Sequence, residues 1–328
     1  MDFDRMLETN PLCQRLGIRY PILQAGMFQV AMARLASAVS EAGGLGVIGS
    51  AFMSPEDLRE QIRLVKDHTS APFGVDILFA RTPGSDAAST GYTRQVQDHI
   101  EVVFEEGVPV LVSGLGNPVE VVPRAHDAGM TVLSLVGNVR QAKRLAGDGV
   151  DFIIASGSDG GGHVGRVGTA ALVPAVVDAL QVPVLAAGGL ADGRGLVAAL
   201  AFGACGVWMG TRFISTVEAR GHDNYKQKIV EIDDEGTVIS RANSGKPVRM
   251  IRNRFTESWE GREADILPFP QQMIEVGQPA SVAGRIEGDV ENGVLPAGQS
   301  SALIHEIKPA GQVVRDIVAE ARAVFARW

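Results

Sequence analysis

A histidine at the end of a glycine-rich run is the residue with the clearest capacity for chemistry. The run is Ser156-Gly157-Ser158-Asp159-Gly160-Gly161-Gly162-His163. Each glycine costs about 1 kcal/mol relative to alanine in regular structure, so a chain keeps such a run where another group must approach its backbone. Imidazole suits proton transfer near neutral pH. We therefore predict that His163 is a catalytic residue on a loop, although an isolated histidine is more often structural or merely on the surface.

Two further glycine clusters are typical of phosphate-binding turns. One contains Gly188 and Gly189, and the other contains Gly210 followed by Thr211. Glycine turns let backbone N–H groups approach a phosphate, and a following helix N-terminus adds a favourable dipole. A plain turn is the commonest explanation of any single glycine. Two clusters after neighbouring predicted strands favour a phosphate site.

The end of the first predicted strand carries a weaker signal. The small residues Ala25 and Gly26 would admit a flat ring against the backbone, and Met27 would offer it a polarizable apolar contact. Asp76 ends the third predicted strand and would reach the same region as a hydrogen-bond acceptor. A helix cap or loop acid is nearly as good an interpretation of Asp76.

The elements that must position these residues form a regular repeat between residues 20 and 215. Eight apolar runs alternate with helical patterns, and they span residues 20–24, 44–49, 72–78, 108–113, 130–136, 150–156, 182–188 and 205–210. Runs that are apolar on both faces are typical of buried parallel strands, and their alternation with helices indicates right-handed βαβ units. Eight units predict a (β/α)8 TIM barrel, in which phosphate commonly binds after strands seven and eight. A doubly wound sheet is the alternative, but no GxGxxG follows the first strand.

The repeat ends after Thr216. We predict a barrel made of residues 1–216 and 301–328 that binds the phosphorylated ligand, with residues 217–300 as a mainly helical insertion that covers the active site. The last segment has apolar residues at helical spacing and should complete the outer ring of helices. These residues are Val313, Val314, Ile317, Val318, Ala321, Val324 and Phe325.

Composition excludes several classes of partner. The formal net charge of −8 argues against nucleic acid and anionic membranes. Cys13 and Cys205 are far apart and outside any CxxC spacing, so we expect neither a metal site nor a disulfide. The N-terminus lacks the pattern of a signal peptide and no long apolar run is present, so we expect a cytoplasmic protein without a membrane span. The oligomeric state stays open.

Five segments resemble those of the nitronate monooxygenases, formerly called 2-nitropropane dioxygenases. They are PILQAGM (21–27), FGVDIL (73–78), SGSDGGGHVG (156–165), AAGGLADGRGLVAALAFGACGVWMGTRF (186–213) and PAGQSSALIHEIKPAG (296–311). The resemblance spans nearly the whole chain and is strongest from residue 150 to 216. It is specific for a superfamily that also includes FMN-dependent enoyl-acyl-carrier-protein reductases and an NADH:quinone reductase branch, and it is less specific for substrate.

The resemblance implies bound FMN, and the absence of an adenosine-binding fingerprint favours FMN over FAD. It implies that three groups of residues contact the cofactor. The isoalloxazine ring would lie against Ala25, Gly26 and Met27, and the rest of the cofactor would be lined by Ser156, Gly161 and Gly162. The phosphate would be held by Gly188, Gly189, Gly210 and Thr211. Asp76 stands where the family often has Asn. This difference would put a negative charge beside the flavin. Ser134-Leu135 replace the His-Lys pair of the quinone-reductase branch, which weakens that alternative.

Three functions follow from this resemblance and from the residues. The leading one is oxidation of alkyl nitronates, small-molecule substrates, by FMN and O2 to a carbonyl compound and nitrite, with His163 orienting the anion or acting as a base toward neutral nitroalkanes. An alternative is NAD(P)H-dependent reduction of a quinone or enoyl thioester on the same fold. The other alternative is a non-catalytic barrel that binds a phosphorylated ligand.

Overall fold

The computed structural model describes residues 3–79 and 92–327. Its first nine strands are Ile22–Gln24 (β1), Gly46–Gly49 (β2), Phe73–Phe79 (β3), Val110–Gly116 (β4), Thr131–Val136 (β5), Phe152–Ser156 (β6), Gly162–His163 (β7), Val184–Ala187 (β8) and Gly206–Met209 (β9). All except β7 pair in parallel in one eight-stranded sheet, in the order β1-β9-β8-β6-β5-β4-β3-β2. Each of these eight strands lies within or largely overlaps one of the eight predicted runs.

The sheet closes on itself between β1 and the residue before β2. Leu45 donates its N–H to the Ile22 carbonyl at 3.0 Å, and Gln24 donates its N–H to the Leu45 carbonyl at 2.9 Å. The predicted (β/α)8 TIM barrel is therefore confirmed. Inside it, Gln24 is fully buried and its side chain bonds the Val47 backbone on β2 through both amide atoms.

Helices alternate with the strands and cover the barrel. The first ten are Phe3–Glu8 (α1), Pro11–Leu16 (α2), Ala33–Glu41 (α3), Pro55–His68 (α4), Arg94–Glu105 (α5), Val122–Asp127 (α6), Val139–Gly147 (α7), Thr169–Ala179 (α8), Gly193–Ala201 (α9) and Thr211–Ile214 (α10). Several begin at a side chain that accepts hydrogen bonds from the first turn, as Ser54 does for α4 and Asn138 does for α7. The helix starts are thus encoded locally.

Helix α2 closes the N-terminal end of the barrel. A Cβ on Gly206, the first residue of β9, would lie 2.7 Å from Leu12 Cδ2, so only glycine fits there. Asn10 donates its side-chain amide to the Cys205 carbonyl at 2.8 Å. Cys13 and Cys205 are buried and free, and burial raises the pKa of each thiol to about 12. The opposite end of the barrel is left for a ligand site.

The chain after the barrel strands contains an element that the sequence did not predict. The later elements are Asp223–Glu231 (α11), Thr237–Ser240 (β10), Val248–Ile251 (β11), Arg254–Glu257 (α12), Gln278–Arg285 (α13) and Ala310–Phe325 (α14). Strands β10 and β11 form an antiparallel hairpin, and β11 also pairs with β7. Residues 217–300 thus combine helices with a hairpin that is joined to the glycine-rich loop.

The final helix, α14, packs against α9 and α3, as its apolar spacing indicated. A Cβ on Gly193 would lie 2.3 Å from the Ala321 backbone nitrogen, which shows how closely α9 and α14 approach. Among the described helices, none is at once long enough and apolar enough to cross a membrane.

Candidate active site

One cavity at the C-terminal ends of the strands brings together every residue that the sequence predicted for the site. The lining includes Ala25, Gly26, Met27, Asp76, Ser156, Gly161, Gly162, His163, Gly188, Gly189, Gly210 and Thr211. They come from the ends of β1, β6, β8 and β9, from the middle of β3 and from the loop that contains β7. Asp76 was expected to end its strand, but β3 continues past it to Phe79. Parallel strands of a barrel end on the same face, which is why residues so distant in sequence meet there.

Some of the glycines are required by packing between loops. A Cβ on Gly161 would lie 2.7 Å from the Ala297 backbone carbon, and one on Gly188 would lie 2.9 Å from the Gly157 carbonyl oxygen. Gly188 also has a positive φ of 95°, which side chains rarely adopt. The backbone that approaches these two glycines therefore belongs to the protein itself, and a ligand is not needed to explain them.

Other glycines border open space. A Cβ on Gly210 would meet only Met27 Sδ at 3.6 Å and Ala25 Cβ at 3.7 Å, and one on Gly162 would meet nothing within 4 Å. The backbone N–H groups of Gly189, Gly210 and Thr211 donate no hydrogen bond within the described part of the chain. The result is two neighbouring turns, after β8 and after β9, with unused donors at the cavity, which is the arrangement that a phosphate needs.

Thr211 adds a side-chain donor to the turn after β9. Its Oγ1 accepts the Gly298 N–H at 3.0 Å, so the hydroxyl proton stays free to point elsewhere. Thr211 is buried yet lines the cavity. Its hydroxyl and the unused backbone donors fit the phosphate of a flavin mononucleotide.

The N-terminus of α9 does not take part, contrary to the expectation from sequence. The side chain of Asp192 accepts the N–H groups of Arg194 and Gly195, and Glu320 accepts the Gly193 N–H at 2.9 Å. Two carboxylates of the protein thus already occupy the donors of this helix end, so its dipole is not available to a bound anion.

Asp76 is buried between two glycine backbones. A Cβ on Gly26 would lie 2.3 Å from Asp76 Cβ, and a Cβ on Gly114 would lie 2.5 Å from Asp76 Oδ1. Oδ1 has no hydrogen-bond partner among the described residues. Burial raises the pKa of this carboxyl well above its usual value, and a hydrogen bond from the Gly114 backbone only partly opposes the shift.

Burial therefore opposes the expected negative charge at Asp76 and favours the protonated form of its carboxyl group. A protonated carboxyl group can donate one hydrogen bond and accept another, as an Asn side chain also can. Its partnerless oxygen at the cavity fits a polar group of a bound cofactor.

His163 is held by the insertion. In the pairing of β7 with β11, it stands opposite Val248. Its Nε2 atom lies 2.8 Å from Ser244 Oγ, and that oxygen also accepts the Lys246 N–H at 3.3 Å. The other ring nitrogen, Nδ1, bonds no described residue and is left for a ligand in the cavity.

The imidazole of His163 is neutral near neutral pH. Partial removal of the ring from water lowers its pKa to about 4, because desolvation disfavours the charged form. The positive charges of Lys246 and Arg285 also lower this pKa. His163 is exposed to solvent through the open cavity, and water there weakens the effect of burial on its pKa. A neutral imidazole can accept a proton or a hydrogen bond, which an imidazolium cannot.

Several cavity residues were missed by the sequence reasoning. They are Phe28, Phe52, Tyr225, Asn243, Val248, Met273 and Arg285. The rings of Phe28 and Phe52 are 5.0 Å apart between centroids, and Phe52 has a φ of 60°, a strained value for a side chain of this size. Most of the others lie in residues 217–300, where no motif marks them.

Within the described residues, no group of three or more His, Cys, Asp or Glu side chains is placed to hold a metal ion.

Comparison of the sequence with known proteins gives consistent matches along the chain. A family model described as nitronate monooxygenase matches residues 9–320. A Mycobacterium tuberculosis protein named (3aS,4S,5R,7aS)-5-hydroxy-7a-methyl-1-oxo-octahydro-1H-indene-4-carboxyl-CoA dehydrogenase is 34% identical, over 95% of this chain and 96% of its own length. A probable nitronate monooxygenase of Staphylococcus aureus is 33% identical, over 95% and 97%.

Solved structures with the same fold give a similar picture. FabK from Thermotoga maritima superposes with a TM-score of 0.88 at 38% identity, covering 97% of both chains. A nitroalkane oxidase from Streptomyces ansochromogenes superposes with a TM-score of 0.85 at 27% identity, covering 96% of this chain and 99% of its own. Some of these similar proteins are thus named for nitro compounds, and one is named for a coenzyme A thioester.

Proposed function

The chain belongs to the nitronate monooxygenase family and is an oxidoreductase, and from this premise we propose that it binds FMN and oxidises alkyl nitronates with O2 to a carbonyl compound and nitrite. One observation carries the proposal: a single cavity joins a turn of unused backbone donors to a neutral histidine. Membership of an enzyme family sets aside the non-catalytic barrel.

The residues that line the cavity fit FMN. Gly188, Gly189, Gly210 and Thr211 would hold the phosphate, and the backbone of residues 25–27 would lie against the isoalloxazine ring. Ser156, Gly161 and Gly162 would line the rest of the cofactor, and the neutral carboxyl of Asp76 would bond one of its polar groups. When bound, FMN supplies the electron-accepting chemistry of the reaction. Because these two neighbouring turns form one phosphate site, they support FMN over a dinucleotide.

His163 would have a different role for each form of the substrate. A nitronate is already a carbanion equivalent, so it needs no base, and His163 would only orient it by a hydrogen bond from the ring. A neutral nitroalkane must first lose a proton from the carbon next to the nitro group. In the tautomer whose Nε2–H donates to Ser244 Oγ, Nδ1 is unprotonated and can take that proton while Ser244 keeps the ring in place. In the opposite tautomer, Nε2 accepts from the Ser244 hydroxyl and Nδ1–H can donate to a nitronate.

The proposal is tested on the purified protein. We expect a yellow protein that releases FMN on denaturation, and that consumes O2 and forms nitrite with propyl-1-nitronate. Released flavin that migrates as FAD would contradict the cofactor assignment. A flavin-loaded protein that forms no nitrite from this nitronate would contradict the substrate assignment.

A second candidate function is NAD(P)H-dependent reduction of an enoyl thioester, and one feature favours it. A second cavity meets the first at Ser156 and His163 and continues past Lys246 and Phe269 to Arg144 on the surface. Lys246 Nζ lies 3.9 Å from the Phe269 ring centroid and forms no ion pair with the described residues. A groove lined by cations would suit a long substrate with an anionic end.

Anaerobic mixing with NADH or NADPH separates the two candidates. Rapid bleaching of the flavin absorbance would support the reductase, and an unchanged spectrum would support nitronate oxidation. A quinone as the acceptor is less favoured, because Ser134-Leu135 stand in place of the His-Lys pair of the quinone-reductase branch.

A further inference from the structure

Arg285 is a buried cation at the wall of the active-site cavity, and no carboxylate of the described residues pairs with it. Its side chain is in the last residue of α13, and the residue is 7% exposed. Nη1 donates to the Phe28 carbonyl at 3.1 Å, and Nη2 reaches Ser281 Oγ only at 3.5 Å. Nε has no partner among the described residues. In the same part of the chain, Arg285 forms no ion pair.

The acidic groups that share the cavity do not supply the missing negative charge. Tyr225 donates its hydroxyl to the Pro296 carbonyl at 2.5 Å, and burial raises its pKa, so it stays neutral. Burial likewise raises the pKa of Asp76 and so disfavours its charged form. The carbonyl of Phe28 and the C-terminal end of α13 offer only partial charges.

A buried guanidinium in such surroundings is costly unless an anion joins it. It has five N–H donors in a planar fork, and the protein uses at most two of them here. The remaining donors match two oxygens that share one negative charge, because such pairs form short, charge-assisted hydrogen bonds. The neighbouring rings of Phe28 and Phe52 form an apolar wall suited to an alkyl chain.

We propose that Arg285 is the residue that recognises the negative charge of the substrate, by binding the paired oxygens of a nitronate. This inference rests on the proposed function and narrows it. It makes the anionic nitronate the preferred substrate over the neutral nitroalkane, and it assigns α13 of the insertion to substrate selection. The flavin phosphate is served by the separate turn at Gly210 and Thr211.

The test compares a charged ligand with a neutral one of the same size. Propyl-1-nitronate and 1-nitropropane are mixed anaerobically with the flavin-loaded wild type, Arg285→Met and Arg285→Lys. For a ligand that reduces the flavin, the dissociation constant is taken from how the rate of bleaching saturates with ligand concentration. For a ligand that does not, it is taken from the shift of the flavin absorbance. We expect Arg285→Met to weaken nitronate binding by about 10- to 100-fold, the range of a charged hydrogen-bonded contact. Nitropropane binding should change less than about threefold, since a neutral ligand loses no charge pairing. Arg285→Lys should give an intermediate loss for the nitronate alone.

General damage to the cavity would weaken both ligands equally, and that outcome overturns the proposal. Loss of FMN from Arg285→Met would also overturn it, because the arginine would then serve the cofactor. If Arg285→Met does not fold, the Lys variant decides, since it keeps the charge and loses only the planar fork. If the wild type takes up no FMN, the cofactor proposal fails separately, and calorimetric titration of the same two ligands still tests Arg285.

Discussion

The Nε2 atom of His163 lies 2.8 Å from Ser244 Oγ, although the two residues are 81 positions apart in the sequence. The histidine belongs to the glycine-rich loop of the barrel, whereas the serine belongs to the insertion. Pairing of β7 with β11 brings the two segments together, and Arg249 strengthens the contact by donating its Nε–H to the Ser158 carbonyl at 2.9 Å. The insertion therefore positions the proposed base.

The first prediction concerns Ser244 as a positioning residue. Ser244→Ala removes the partner of Nε2, so we expect kcat with 1-nitropropane to fall about 10-fold, which corresponds to one ordinary hydrogen bond. Ser244→Thr keeps the hydroxyl and should restore most of the rate. FMN content should not change. Ser258→Ala is the matched control, because that exposed hydroxyl bonds only the Phe255 carbonyl in the same insertion. Equal losses in both alanine variants would speak against positioning.

The second prediction concerns His163 itself. His163→Ala should keep the fold and the bound FMN, since backbone donors and Thr211 make the phosphate site. Loss of a general base typically costs ~10²–10⁴-fold in rate. We expect that loss with neutral nitroalkanes and a milder one with preformed nitronates, in steady-state assays of nitrite formation. Wild-type rates with both substrates would show that His163 is not catalytic.

The third prediction concerns the pH dependence of that base. The lowered pKa of His163, about 4, means that the imidazole is already neutral well below pH 6.5. In the pH profile of kcat/KM with nitroalkane, the midpoint of the acid limb should therefore lie below the ordinary histidine pKa of about 6.5.

Lys246→Met tests the cause of this shift. Removing a nearby positive charge makes protonation easier, so the pKa should rise and the acid limb should move toward higher pH. Lys143→Met, an exposed lysine of α7, should leave the limb where it is. A limb that stays fixed in Lys246→Met would contradict the electrostatic explanation.

The fourth prediction concerns the phosphate turn. Gly210 has a φ of −102° and room for a Cβ, so Gly210→Asp should fold. Its carboxylate would stand against the phosphate, and close like charges oppose binding. We expect the variant to purify largely without FMN. The measurement is the ratio of the flavin absorbance at about 450 nm to the protein absorbance at about 280 nm. Gly147→Asp, at an equally open position in α7, should keep the wild-type ratio. Full flavin occupancy in Gly210→Asp would place the phosphate elsewhere.

The barrel and the members of its site were predictable because their signals are local. Each strand is a short apolar run, and glycine and polar residues mark the strand ends. Once eight parallel strands close a barrel, geometry alone brings residues such as Ala25 and Gly210 together.

The features that the sequence did not reveal depend on tertiary contacts. Strands β10 and β11 are four residues each, too short to show an alternating pattern that differs from a helix turn. Arg285 is one arginine among many until its burial without a carboxylate is seen. The raised pKa of Asp76 likewise follows from its burial between two glycine backbones.

The last prediction concerns the stability of the protein and the charge of Asp76. The pKa of this carboxyl is raised in the folded chain, so the folded state holds its proton at pH values where the unfolded state releases it. Stability therefore falls as pH rises above the unfolded value of about 3.9. Asp76→Asn removes this loss without changing the size of the side chain. We expect a higher Tm than wild type by several degrees at neutral pH, and a difference that shrinks toward pH 4 and below, in thermal scans at matched flavin content. Asp178→Asn, an exposed acid on α8, should change Tm little at any pH. A Tm gain for Asp76→Asn that is the same at every pH would contradict this account, because a packing effect does not follow the titration of a carboxyl group.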